Sequence, residues 1–234
     1  MFDALFTTTT EYKKLSHALS GKGACALFGL PASGRAQVYA ALCRQLDKPL
    51  CIVTPGEAEA TRFAADLNTL GIPAAVFPAR DYVLRPIEGT AREYEYRRLA
   101  VLGELVGGRL RAVAVPAEAL TQFTTPKEDF CANTRTLHAG DTLLRDDLLA
   151  ALFGAGYTRR AQVDGPGQFS VRGDIVDIFA PDQKMPVRME FWGDEIDTLH
   201  TFDLTTQRRE DAIDKFYLSP AREVLFLSLI HISE

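Results

Sequence analysis

Residues 167–208 read GQFSVRGDIVDIFAPDQKMPVRMEFWGDEIDTLHTFDLTTQR, a run of strand and turn. Phe169 and Val171, then Ile175 and Ile178, mark two pairing strands broken at Gly173, and APDQKMP has the composition of a turn between two β-rich runs. In the next run Arg188, Glu190 and Trp192 alternate with Val187, Met189 and Phe191. Successive side chains on a strand point to opposite faces. One face therefore carries charge and the chain's single tryptophan, while the other points into a core. Exposed arginine beside tryptophan is a common hot-spot composition. GDEID, Gly193–Asp197, reads as an acidic turn between strands rather than a metal cluster. RGD, Arg172–Asp174, matches a cell-adhesion tripeptide by coincidence in a cytosolic chain.

Upstream the pattern changes. ACALFGL (24–30), LCIVTP (50–55), AAVFP (74–78) and RAVAVP (111–116) are short apolar strand candidates. Between them lie helical stretches: Arg35–Leu46 with Val38, Leu42 and Leu46 on one face, Glu57–Leu70 with Ala60, Phe63, Ala64 and Leu67, and Glu93–Val106. Alternation of apolar strands with helices implies a parallel sheet covered on both faces. The polar, proline-containing TQFTTPKEDF (121–130) reads as a boundary. The expected organisation is an α/β domain over 1–122 and a small α+β domain over 123–217 that includes a helix at Leu143–Phe153. After the polar, helix-like TQRREDAIDKF (206–216), residues 218–234 read as the truncated start of a further segment, with LFLSLIHISE as a possible foreign tail.

FGLPASGRA places Gly29 and Gly34 at the spacing of the ATP-binding loop G-x-x-x-x-G-K-[ST], after a strand candidate and before a helix. Arg35 and Ala36 then replace the lysine that reaches the phosphates and the hydroxyl that binds magnesium. LCIVTP and RAVAVP end in proline where a magnesium-holding acid belongs. The first domain is thus expected to be phosphate-loop-NTPase-like but degenerate, with no cofactor.

Composition narrows the class further. The net charge of -5 argues against a surface that coats nucleic acid. Cys25, Cys43, Cys51 and Cys131 show no paired spacing, which fits a reducing compartment without disulfides or structural zinc. His17, His138, His200 and His231 are scattered, and no nucleophile–base set stands out. No stretch has the length of a membrane span, and MFDALFTTTTEYKKL lacks a signal-peptide pattern, so a cytoplasmic location and no membrane partner are expected.

Residues 167–208 resemble the domain shared by the UvrB excision-repair protein and the bacterial transcription-repair coupling factor. That pattern runs R-G-x-x-x-D-[IL]-F, a short turn, P-x-R-x-[ED]-F-[FW]-x-D-E-I-[DE], then F-D and T-Q-R. The likeness extends over Ala24–Phe226, through GLPASGRAQVYAAL, CIVTPGEAEATRFAADL and FPARDYVLRPIEGTAREYEYRRLAVL. Two features point to the coupling-factor branch. The phosphate loop is damaged, and between Pro78 and Arg97 only Tyr82, Tyr94 and Tyr96 stand where UvrB carries a long tyrosine-rich hairpin.

The resemblance implies a non-catalytic platform that docks the UvrA ATPase, masked in the resting protein by distant domains of its own chain. Contacts with RNA polymerase and DNA, and an ATP- and magnesium-dependent motor, would lie in other parts of the full-length protein. It assigns the UvrA-facing role to Arg172, Arg188, Trp192 and Asp194, with Trp192 in place of the family's usual phenylalanine. The alternatives are a UvrB-type ATPase that binds damaged DNA, and a module that only autoinhibits its own chain. Arg92, Arg97 and Arg98 with Glu93 and Glu95 read as a solvated, salt-bridged helix face rather than a DNA track.

Overall fold

A computed structural model describes residues 7–21, 24–46, 48–80 and 90–223. Two compact units result, one running to Ala79 and including Gly107–Gln122, the other formed by Arg80–Val106 and Phe123 onward. The segment 80–106, expected within the first domain, is thus part of the second unit.

The first unit contains α1 (Thr10–Ser20), α2 (Ala32–Gln45), β1 (Leu50–Thr54), α3 (Glu57–Thr69) and β2 (Ala74–Val76). The chain then gives α4 (Thr90–Val106) to the second unit and returns with β3 (Ala112–Pro116) and the short α5 (Ala117–Leu120). The sheet is parallel in the order β1-β3-β2. Central β3 is buried along its whole length, which is why it reads as a continuous small-apolar run. On α3, Ala60, Phe63, Ala64 and Leu67 recur at helical spacing and pack with Ala36, Ala40 and Cys43 of α2. Thr9 caps α1, its side chain accepting from the Tyr12 amide.

One strand expectation fails. Ala24–Leu30 forms no strand, and Leu27 and Phe28 are 47% and 88% exposed. Apolar composition argues for burial, but a strand also needs an edge to pair with. The outer edge of β1 is open within the three-stranded sheet, yet Ala24–Leu30 does not pair there, because apolar content alone does not select a partner. Coverage of both faces holds for central β3 but not for edge strand β1, where Cys51 and Val53 are exposed.

The second unit adds α6 (Lys127–Ala132), β4 (Arg135–His138), α7 (Arg145–Gly154), β5 (Thr158–Arg159), β6 (Gln168–Arg172), β7 (Ile175–Phe179), β8 (Val187–Trp192), β9 (Glu195–Phe202), β10 (Arg209–Ala212) and β11 (Lys215–Leu218). Strands β10-β9-β8-β7-β6-β5 form one sheet, antiparallel except for β5 against β6, and β11 pairs antiparallel with β4. Alternation does what it predicts: Phe169, Val176, Ile178, Val187, Met189, Phe191, Ile196 and Leu199 all point to one side. Leu148 and Leu152 of α7 complete that core, both fully buried.

The helix-like TQRREDAIDKF is in fact a turn followed by β10 and β11, because pairing with β9 and β4 overrides local propensity. The boundary expected at 217 falls inside β11. Beyond it Leu218, Ser219, Ala221 and Glu223 are buried in the same unit. LFLSLIHISE and Tyr82 lie outside the described residues.

Helix α4 keeps only part of the expected solvated face: Glu93 and Arg97 are exposed, Glu95 is half-buried, and the Arg92 side chain lies outside the described residues. Arg98 is fully buried, and its Nε donates to Glu223 Oε1 at 2.8 Å. Arg80 donates to the other carboxylate oxygen at 2.7 Å, and Arg98 also reaches Thr124 Oγ1 at 2.9 Å. The Glu223 amide donates to Glu95. Gly167 accommodates the same helix: its φ is +71°, and a β-carbon there would stand 2.6 Å from the Tyr96 hydroxyl. Among the described residues no helix is long and apolar enough to cross a membrane.

Candidate partner-docking surface

The face of the six-stranded sheet opposite its core is built in transverse rows. Register places Ser170, Asp177, Arg188 and His200 side by side across β6–β9, and Arg172, Ile175, Glu190 and Thr198 in the next row. Asp177 is 1% exposed and receives both arginines. Arg188 donates from Nε to Oδ1 at 2.7 Å and from Nη2 to Oδ2 at 3.0 Å, and Arg172 donates to Oδ2 at 2.7 Å. A two-pronged guanidinium on a carboxylate is the geometry that best offsets the cost of burying charge.

Arg188 is not a free cation on the surface. It is only 8% exposed, with its Cζ 4.6 Å from the Phe202 ring centroid and Nη1 bonded to the Gln207 carbonyl at 3.1 Å. The loop that supplies this carbonyl is held by Asp203, whose carboxylate accepts from the amides of Thr205 and Thr206. Those bonds, the Thr206 amide foremost, hold the Asp203 carboxyl below its ordinary range. Gln207 adopts φ 59°, the one non-glycine residue with positive φ among those described. This loop is the T-Q-R element of the sequence pattern, and its role in packing Arg188 from above is invisible in one dimension.

Exposure rises along the strand toward its end. Glu190 is intermediate and pairs with Arg209, whereas Trp192 is 82% exposed. Two glycine-first hairpin turns close this edge, Gly173-Asp174 and Gly193-Asp194, with φ 61° and 64° at the glycines. The turns are neighbours, since the Phe191 amide donates to the Asp174 carbonyl at 2.9 Å. Arg172 and Asp194 are both exposed here. The four residues singled out in the sequence therefore divide: Arg172, Trp192 and Asp194 face solvent at the turn edge, and Arg188 braces Asp177 beneath them. Sequence reasoning missed Asp177, the acid on which both arginines converge; the D of R-G-x-x-x-D was the available signal.

Most of the Gly29–Ala36 segment is helical. Helix α2 starts at Ala32, so Gly34 and Arg35 lie inside its first turns and the Arg35 amide donates to the Pro31 carbonyl at 3.0 Å. Ala36 packs into the core at 3% exposure, and the Arg35 side chain lies 3.8 Å from Glu59. Gly29, with φ 82°, opens on a cavity of about 400 Å³ walled by Leu27, Phe28, Leu30, Arg35, Val38 and Tyr39.

Residues 136–224 match the UvrB interaction domain family, so the second unit carries a domain of that class. Over most of its length the chain is similar to transcription-repair-coupling factors. It is 35% identical over 208 residues to that of Myxococcus xanthus, 84% of this chain and 17% of the relative. It is 38% identical over 192 residues to that of Mycobacterium bovis, 79% of this chain and 15% of the relative, and 29% identical over 220 residues to that of Haemophilus influenzae, 93% and 18%. The chain thus spans under a fifth of the length of these relatives.

Proposed function

We propose that the chain is the UvrA-docking module of a transcription-repair coupling factor, and that in the full-length protein it recruits UvrA to RNA polymerase stalled at DNA damage. The observation that carries this reading is Trp192, 82% exposed beside Arg172 and Asp194 at the edge of a UvrB interaction domain. A large aromatic held in water by a rigid sheet costs solvation and favours a partner that buries it. The module itself does no chemistry in this reading: the Arg35 amide is committed to its helix and Ala36 to the core. ATP hydrolysis, DNA tracking and polymerase contact belong to other segments, and distant domains of the same chain cover the docking edge at rest.

Calorimetric titration of the chain with purified UvrA tests this. Saturable binding is expected, weakened at least about tenfold by Trp192→Ala. Absence of binding, or a Trp192→Ala variant that binds as well as the parent, rejects the docking reading. ATP turnover by the purified chain would favour a UvrB-type ATPase instead.

A further inference from the structure

The docking edge has a neighbour that no motif marks. Leu144 precedes α7 as its N-cap, with extended φ and ψ of -60° and 129°, and it makes no side-chain capping bond. It is also 53% exposed. Both facts run against local stability. N-cap positions favour Ser, Thr, Asp or Asn, which bond the free amides of the first turn. A large aliphatic side chain left in water loses the benefit of burial. Its neighbour Leu143 packs against the core, so the exposed leucine is not a misplaced core residue.

The backbone around Leu144 is tied to both hairpin turns of the docking edge. The Leu143 amide donates to the Asp194 carbonyl at 2.7 Å, and Thr142 bridges to Glu195. On its other side Arg145 donates from Nη1 to the Gly173 carbonyl at 2.6 Å and lies 3.2 Å from Asp174. Leu144 is therefore carried between the turn after Arg172 and the turn after Trp192, on rigid supports. Residues that break local rules without a structural return are where function is expected.

We propose that Leu144 is a second apolar anchor of this surface, and that the face of UvrA that receives Trp192 also receives Leu144. The inference rests on the docking reading above and extends it by one residue outside the recognised motif. Arg145 is the positioning residue that fixes α7 to the Gly173 turn.

The test uses Leu144→Ser, which removes the apolar anchor while installing a favoured N-cap. The variant should melt no earlier than the parent yet bind UvrA about tenfold more weakly. Leu144→Met, equally uncapped but apolar, should bind as the parent does. Trp192→Ala is measured in the same titration. If Trp192→Ala weakens binding and Leu144→Ser does not, the inference falls and the docking reading stands. If Leu144→Met loses affinity as much as Leu144→Ser, the apolar-anchor role is likewise overturned. If the parent does not bind UvrA at all, both fall together.

Discussion

Arg98 and Glu223, 125 positions apart, form an ion pair in which neither side chain is exposed to solvent, with Nε and Oε1 2.8 Å apart. Arg80 shares the same carboxylate, the Thr125 hydroxyl donates to the Glu223 carbonyl, and the Glu223 amide is held by Glu95. Helix α4, the 123–125 segment and the chain just past β11 are thereby locked together at one residue, Glu223. Removing Glu223 strands the buried Arg98 guanidinium, and removing Arg98 leaves the buried carboxylate with the partly exposed Arg80 alone. Glu223→Ala or Arg98→Ala should each cost about 3–5 kcal/mol of unfolding free energy. Urea denaturation followed by far-UV circular dichroism checks this; a loss under about 1 kcal/mol would show that the pair contributes no more than a surface one.

The two arginines on Asp177 should part company on mutation. Arg188 is buried and bonded to Asp177 and Gln207, so Arg188→Ala is expected to lower stability by about 3–5 kcal/mol. The Arg172 side chain is 46% exposed, and Arg172→Ala should cost about 1 kcal/mol or less while weakening UvrA binding. Loss of binding by Arg188→Ala would then track loss of fold, whereas Arg172→Ala would bind poorly with its melting curve nearly intact. Equal melting losses for the two variants contradict this assignment.

Ser170 stands in the same row as Asp177, and its Oγ is buried without a hydrogen-bond partner among the described residues. A buried hydroxyl in that condition costs desolvation and returns nothing. Ser170→Ala should leave stability unchanged or raise it by about 1 kcal/mol. Measurable destabilisation in a thermal melt would mean the hydroxyl is in fact satisfied.

The Asp203 turn gives a pH signature. Because amide bonds lower the folded carboxyl pKa below the ordinary 3.8, this group adds stability that is present above the unfolded value and lost as pH falls through the folded one. Its side-chain carbon resonance should titrate with a midpoint below 3.8. Asp203→Asn should flatten the acid limb of the stability curve. A midpoint at or above that value would mean the turn is not closed in solution.

How much of this was readable in one dimension depends on the range of the cause. The helix at 57–69 and strands at 50–54 and 112–116 follow from local period and appear where expected. So do β6–β9, because alternation and Gly-Asp turns are local signals. Ala24–Leu30 was misread because apolar content says nothing about which edge is free to pair. Residues 209–218 were misread because their strand character comes from partners in β9 and β4. Arg98 appeared to belong to a charged helix surface, since its partner lies at the far end of the chain. At the proposed docking edge, Arg172, Trp192 and Asp194 have the exposure expected of them. Sequence placed Arg188 on the wrong side of the solvent boundary, because strand alternation separates faces but does not say which loops fold over them.

One consequence follows from Trp192 alone. It is the only indole in 234 residues, and it sits at the edge where a partner is proposed to land. The protein therefore carries its own optical reporter. Emission excited at the indole band comes from a single, water-facing site, so a partner that seats on this edge shifts it to the blue and shields it from iodide quenching. Unfolding, by contrast, moves that signal little, because the side chain is already hydrated in the native state. Docking and denaturation are separable in the same cuvette, without a label.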